Sequence, residues 1–176
     1  MRAIDWVFVQ RLANSPKISN LRIWCFVLAG GSAIQDECKK HISVQGTLLV
    51  GRVFASKAGK LPVKAILHTV SPKWKEGKSK ETEYLKDAVD NTLKEALSKT
   101  FESIAMPAIS TGGSFGFQPA SATSAIVEGI AEFFTDFKGQ CCLKSIELVD
   151  SSDQASRYYV EWSSLNACIE AHNNHL

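Results

Sequence analysis

Two short glycine-bearing stretches hold the residues of this sequence best suited to chemistry. The first reads Ala29-Gly30-Gly31-Ser32-Ala33-Ile34 and follows the apolar run Ile23 to Leu28. The second reads Ser110-Thr111-Gly112-Gly113-Ser114-Phe115-Gly116-Phe117 and follows the run Ser103 to Ile109. Each closes an apolar run and opens a helical pattern. In a parallel α/β sheet such turns lie at the carboxyl ends of the strands, where ligands bind, and the next helix offers unpaired N–H groups and a partial positive charge to an anion. Glycine lets the backbone come close to a phosphate and supplies φ > 0 where the turn needs it. A cradle built this way requires no Lys or Arg. Neither stretch reads GxxxxGK(S/T) or GxGxxG with a downstream acid, so a nucleoside triphosphatase and an ordinary dinucleotide fold are both disfavoured.

Phe115 and Phe117 add a second property. Two rings among glycines do not both serve an ordinary core, and an exposed ring beside a phosphate cradle is suited to packing on a sugar or a base. Phe117 equally suits the other use, plugging the turn onto the core. No Asp, Glu or His stands in either turn, so no general base is assigned there and no catalytic residue is named. His68, in an apolar run, is expected to be a hydrogen-bonded structural histidine. The five cysteines, Cys25, Cys38, Cys141, Cys142 and Cys168, show neither zinc-ligand spacing nor disulfide-framework density, so reduced thiols and no metal are expected.

The elements that must position these turns follow from periodicity. Strands are expected at Trp6 to Gln10, Arg22 to Leu28, Thr47 to Phe54, Lys64 to Val70, Ser103 to Ile109 and Leu143 to Val149. The clearest helix runs from Glu81 to Lys99, with Leu85, Ala88, Val89, Leu93 and Ala96 on one face. A second runs from Pro119 to Phe137, its proline where a first helical turn tolerates one. Two more are expected at Ala33 to His41 and Gln154 to Ala171. Strands alternating with helices indicate an α/β sheet covered on both faces.

Composition sets the outer limits. At 176 residues and 45% hydrophobic, the chain fits one domain with a sizeable core. A formal charge of +2 gives no ground for a nucleic-acid or membrane surface, and the lysines 73, 75, 78 and 80 read as a solvated loop. The first twenty residues lack the apolar core of a secretory signal, and a nuclear or cytoplasmic protein, monomeric as an isolated domain, is expected.

Four stretches, GGSAIQDECKK, GTLLVGRVFASKAGKLPVKAILHTVSPKW, ESIAMPAISTGGSFGFQPA and LKSIELVDSS, resemble the macrodomain family in order and interval, and most resemble macrodomains carried by poly(ADP-ribose) polymerases. The resemblance covers Gly30 to Ser152. It implies a single domain over 1–176 with an atypical front end at 1–28 and a C-terminal helix. It also implies a three-layer α/β/α fold on a mixed, mostly parallel six-stranded sheet that binds ADP-ribose, free or on mono-ADP-ribosylated proteins, with no other cofactor. Carried onto this sequence, the pyrophosphate falls to Gly30, Gly31, Ser32, Ala33 and Ile34 on one side and Ser110, Thr111, Gly112, Gly113 and Ser114 on the other. Phe115 and Gly116 fall to the distal ribose, and Val149 and Asp150 to the adenine side.

The front end departs from the family. The run ISNLRIWCFVLAGGSAI stands where the family has a VDxIVNAAN-like stretch, and Arg22 falls near the position of its Asp. A cation cannot accept the adenine N–H, and a lost hydrogen bond to a buried partner costs roughly 1–3 kcal/mol. Some macrodomains hydrolyse ADP-ribosyl bonds with a water positioned by these groups, and misplacement by ~1 Å costs about a hundredfold. Binding is therefore expected in preference to hydrolysis, with a degenerate non-binding domain as a further alternative.

Overall fold

The computed structural model describes residues 29–111, 115–137 and 141–149. These form α1 (Ser32–Gln45), β1 (Val53–Ser56), β2 (Ile66–Thr69), α2 (Glu81–Ser98), β3 (Ser103–Pro107), α3 (Pro119–Asp136) and β4 (Ser145–Val149). The strands expected at Trp6 to Gln10 and Arg22 to Leu28, and the helix expected at Gln154 to Ala171, lie outside the described residues.

Strand β2 carries Ile66, Leu67, His68 and Thr69, all buried. A strand covered on both faces loses the apolar–polar alternation of a half-exposed one and reads as a continuous buried run. Its two faces meet different partners. Ile66 packs with Ile34, Cys38 and Ala58, so α1 covers one side. Leu67 joins Leu85, Val89, Leu93, Ile104, Met106, Ile126 and Ile130, so α2 and α3 cover the other. The result is a helix–sheet–helix layering in which the larger core lies under α2 and α3.

Strands β1 and β2 pair antiparallel, with Phe54 opposite His68 and Ser56 opposite Ile66. Strands β3 and β4 pair in parallel, Ile104 opposite Ile146 and Pro107 opposite Val149. A parallel pair needs a crossover, and α3 provides it. Among the described residues the strands form two separate pairs.

The strand expected over Thr47 to Phe54 is a correction. Gly46 and Gly51 hold φ of 81° and 78°, and the Arg52 amide donates to Leu49 O in a turn. The strand begins only at Val53. Leu49 and Val50, apolar as strand residues should be, are 71% and 47% exposed. Their hydropathy mimicked a strand that the flanking glycines prevent.

Helices α2 and α3 come close together at Gly129. A Cβ built there would stand 3.3 Å from Lys86 Cα and from Val89 Cβ, and 3.4 Å from Lys86 O. Outside that contact Lys86 Nζ reaches Glu128 and Glu132 at 2.8 and 2.7 Å. Exposed pairs of this kind contribute little each, so apolar packing sets the helix spacing. Gly129→Leu should force the helices apart and lower the unfolding free energy by about 1–3 kcal/mol, the usual cost of overpacking. Denaturant unfolding measures it, and an unchanged midpoint would contradict the close approach.

Candidate functional site

At the end of β3 the chain must reverse into α3, and its residues show how. Ala108 and Ile109 are buried. Ser110 follows in the left-handed region, φ 68°, an uncommon conformation for a residue with a side chain. Its hydroxyl lies 3.3 Å from Pro72 O, to which it donates, and Thr111 Oγ1 donates to Ala108 O at 2.8 Å. Gly112, Gly113 and Ser114 lie outside the described residues.

The chain is described again at Phe115, which is half-buried, and Phe117, which is 4% exposed within the main core. The two rings thus divide the uses expected of them. Phe117 packs on Trp74, ring centroids 4.8 Å apart and planes tilted by 55°. Burial of a phenylalanine contributes about 1.5–3 kcal/mol, enough to hold this end of the turn. Phe115 remains partly open, and Gly116 is exposed beside Trp74.

Residues 71–80 form a strap over this turn. The Trp74 amide donates to Phe115 O at 2.7 Å. The strap is held in turn by Glu81, the first residue of α2, whose side chain is 2% exposed. Its Oε1 accepts the Lys75 amide at 2.8 Å and its Oε2 the Ser79 amide at 3.0 Å. Burial by itself pushes this carboxyl's pKa up, but backbone N–H donors, including those of Ser79 and Lys75, and the Lys75 charge outweigh that and hold it below the usual range. Composition gave no signal for Glu81, which reads in the sequence as an ordinary acidic residue in a first helical turn.

The first glycine stretch is placed differently. Ala29 and Gly30 have helical backbone, and Gly31, φ 83°, breaks the chain before α1. Gly30 is buried with its carbonyl accepting the Lys60 amide at 2.9 Å. A Cβ at Gly30 would stand 2.2 Å from Ile34 Cδ1 and 3.2 Å from Ala58 O, and one at Gly59 would stand 2.1 Å from Gly30 O. The glycines thus form a backbone-to-backbone joint between the start of α1 and the 57–60 turn. Ser32 and Ala33 are exposed on the first turn of α1, and Ile34 belongs to the smaller core cluster. Phe117 and Ile109 belong to the larger one. No hydrogen bond joins the two glycine stretches among the described residues.

His68 is fully buried, with Nε2 2.8 Å from Ser56 Oγ and 3.7 Å from Cys38 Sγ. Burial, with a smaller contribution from the nearby His41 charge, lowers its pKa from 6.5 to about 4. Burial, aided by Glu37, raises the Cys38 thiol to about 11. The pair is neutral at physiological pH and lies between α1 and the sheet as a structural link, as expected for His68. Val149 ends β4, 43% exposed, and Asp150 lies outside the described residues.

Two consequences are measurable. Gly59→Ala introduces a Cβ onto a backbone oxygen that cannot turn away, and at a φ of 62° that side chains rarely adopt. A loss of about 2 kcal/mol or more of stability is expected, and an unchanged melting temperature would rule the joint out. Below pH 6.5 the unfolded chain protonates His68 while the folded chain refuses the proton until about pH 4. Its contribution is therefore complete above pH 6.5 and falls by about 3 kcal/mol as pH drops through that window. Denaturant unfolding of His68→Phe should show a flatter pH dependence than the parent; parallel curves would contradict the burial.

The Macro domain family model matches residues 25–126. Over 107 residues the chain is 39% identical to the O-acetyl-ADP-ribose deacetylase of Escherichia coli (strain K12), a match over 61% of this chain and 60% of that protein. The chain therefore spans less than two thirds of the length of the curated relatives it matches. A solved macrodomain of Oceanobacillus iheyensis with ADP superposes with a TM-score of 0.80 at 22% identity, covering 97% of this chain and 87% of that one. A Trypanosoma brucei macrodomain in complex with ADP gives 0.74 at 19% identity, covering 90% and 63%. At these identities the superpositions establish the fold.

Proposed function

The chain belongs to the Macro domain family, and from that premise we propose that it is a module that binds ADP-ribose, free or carried as a single unit on a modified protein. One observation carries the reading: the glycine-rich exit of β3 is clasped at both ends while the Phe115 ring beside it stays partly open. In this reading the backbone N–H groups of Ser110, Thr111, Gly112, Gly113 and Ser114 take the pyrophosphate, where close approach rather than positive side chains supplies the binding. Phe115 and Gly116 take the distal ribose. Pairing of Pro107 with Val149 brings the β4 exit beside the β3 exit, which supports Val149 and Asp150 as the adenine side.

The same reading puts both strand pairs into one mixed, mostly parallel six-stranded sheet. It gives the other side of the pyrophosphate to the first glycine stretch, Gly30, Gly31, Ser32, Ala33 and Ile34. The Gly30 carbonyl accepts the Lys60 amide, a contact that fixes this stretch at the start of α1, where Ser32 and Ala33 are exposed.

Ester hydrolysis is a second reading, favoured by the relatives that carry the deacetylase name. Ala108 to Gln118 contains no Asp, Glu or His, so an attacking water would depend on the ligand's own hydroxyls and phosphates for its placement and activation. Binding without turnover is the expected behaviour.

Calorimetry with ADP-ribose should give saturable binding, weakened at least about tenfold by Gly113→Glu, which sets a carboxylate against the pyrophosphate. No heat at millimolar ligand would overturn the reading. Incubation with O-acetyl-ADP-ribose should release no acetate above the uncatalysed rate; release lost in Gly113→Glu would establish the second reading instead.

A further inference from the structure

We propose that Glu81 is a positioning residue for the ligand site, acting through the 71–80 strap to set the separation of the two ends of the β3–α3 turn. The inference rests on the ADP-ribose reading and adds to it a residue that touches no ligand.

The geometry is a short relay. Glu81 spends both carboxylate oxygens on backbone N–H groups of the strap, Lys75 at 2.8 Å and Ser79 at 3.0 Å, and among the described residues it forms no salt bridge. A carboxylate accepting N–H bonds in a buried place holds its donors more firmly than a neutral acceptor would. The residue before Lys75 is Trp74, whose amide fixes Phe115 O at 2.7 Å and whose ring packs on Phe117. Two residues earlier, Pro72 O receives the Ser110 hydroxyl at 3.3 Å.

Residues 72–74 therefore grip the entry of the turn at Ser110 and its exit at Phe115, and Glu81 fixes the register of that grip to the N-terminus of α2. Ser110 sits at φ 68°, a conformation that persists where surrounding contacts impose it. The strap supplies one of those contacts. A ligand that binds through closely approaching amides is sensitive to small changes in their spacing, so loosening the strap should weaken binding while leaving the core under α2 and α3 intact.

The test is a double-mutant cycle on ADP-ribose affinity with Glu81→Gln and Trp74→Ala, each variant held well below its melting temperature. Glu81→Gln retains the shape and replaces one acceptor by a donor. Each single change should weaken ADP-ribose by roughly tenfold, and the double variant should bind no worse than about the weaker single, because residues acting through one relay do not add. A role confined to stability would leave the affinity of the folded fraction unchanged. Wild-type affinity in Glu81→Gln, or effects that multiply in the double variant, would overturn the inference while leaving the ligand reading in place. Absence of binding by the wild-type chain would overturn both. Should Glu81→Gln fail to fold, Glu81→Asp, which keeps the charge but is too short to reach both amides, carries the same comparison with the same outcomes.

Discussion

The hydrogen bond from the Trp74 amide to Phe115 O joins two parts of the chain that secondary structure leaves unconnected. Strand β3 ends at Pro107 and α3 begins at Pro119, so the described residues between them have no ladder or helix to fix them, and a turn rich in glycine carries a large conformational entropy. Order there must come from outside the turn. It comes from the strap, through Trp74 on the exit side and Pro72 on the entry side, and from Phe117, which anchors the exit into the core.

Everything beneath that contact serves as a platform. The strap is anchored at the first residue of α2; α2 is held to α3 by close packing at Gly129; and α3 starts where the turn ends. Burial on both faces of β2 ties this side of the molecule to α1 through Ile66 and the neutral His68–Ser56–Cys38 group. The rigid parts are apolar, and the polar groups left at the turn are backbone amides and hydroxyls. That division suits a site that recognises a phosphate by geometry rather than by charge, and it explains how a chain with a formal charge of +2 can be read as a binder of an anion.

Much of this was legible in the residues. The α2 and α3 stripes predicted both helices to within a residue of their ends, because long amphipathic patterns state their period clearly. The Ser103–Gln118 stretch declared its strand, turn and helix through β-rich residues, glycines and a proline in that order. Three features were not legible. Leu48 to Val50 copied a strand's hydropathy, and only the backbone of Gly46 and Gly51 shows why they cannot form one. The contact of Gly30 with Gly59 was hidden because glycine serves close approach to a ligand and close approach to another backbone equally well, and Gly59 lies far along the chain. Glu81 carried no mark, since its role depends on which amides the folded strap brings to it.

The central claim is the proposed binding of ADP-ribose at the β3–α3 turn. Amide chemical-shift mapping in a titration with ADP-ribose tests it most directly. The account predicts saturable shifts at Ser110, Thr111, Phe115 and Gly116. A silent β3–α3 turn at saturating ADP-ribose would contradict it.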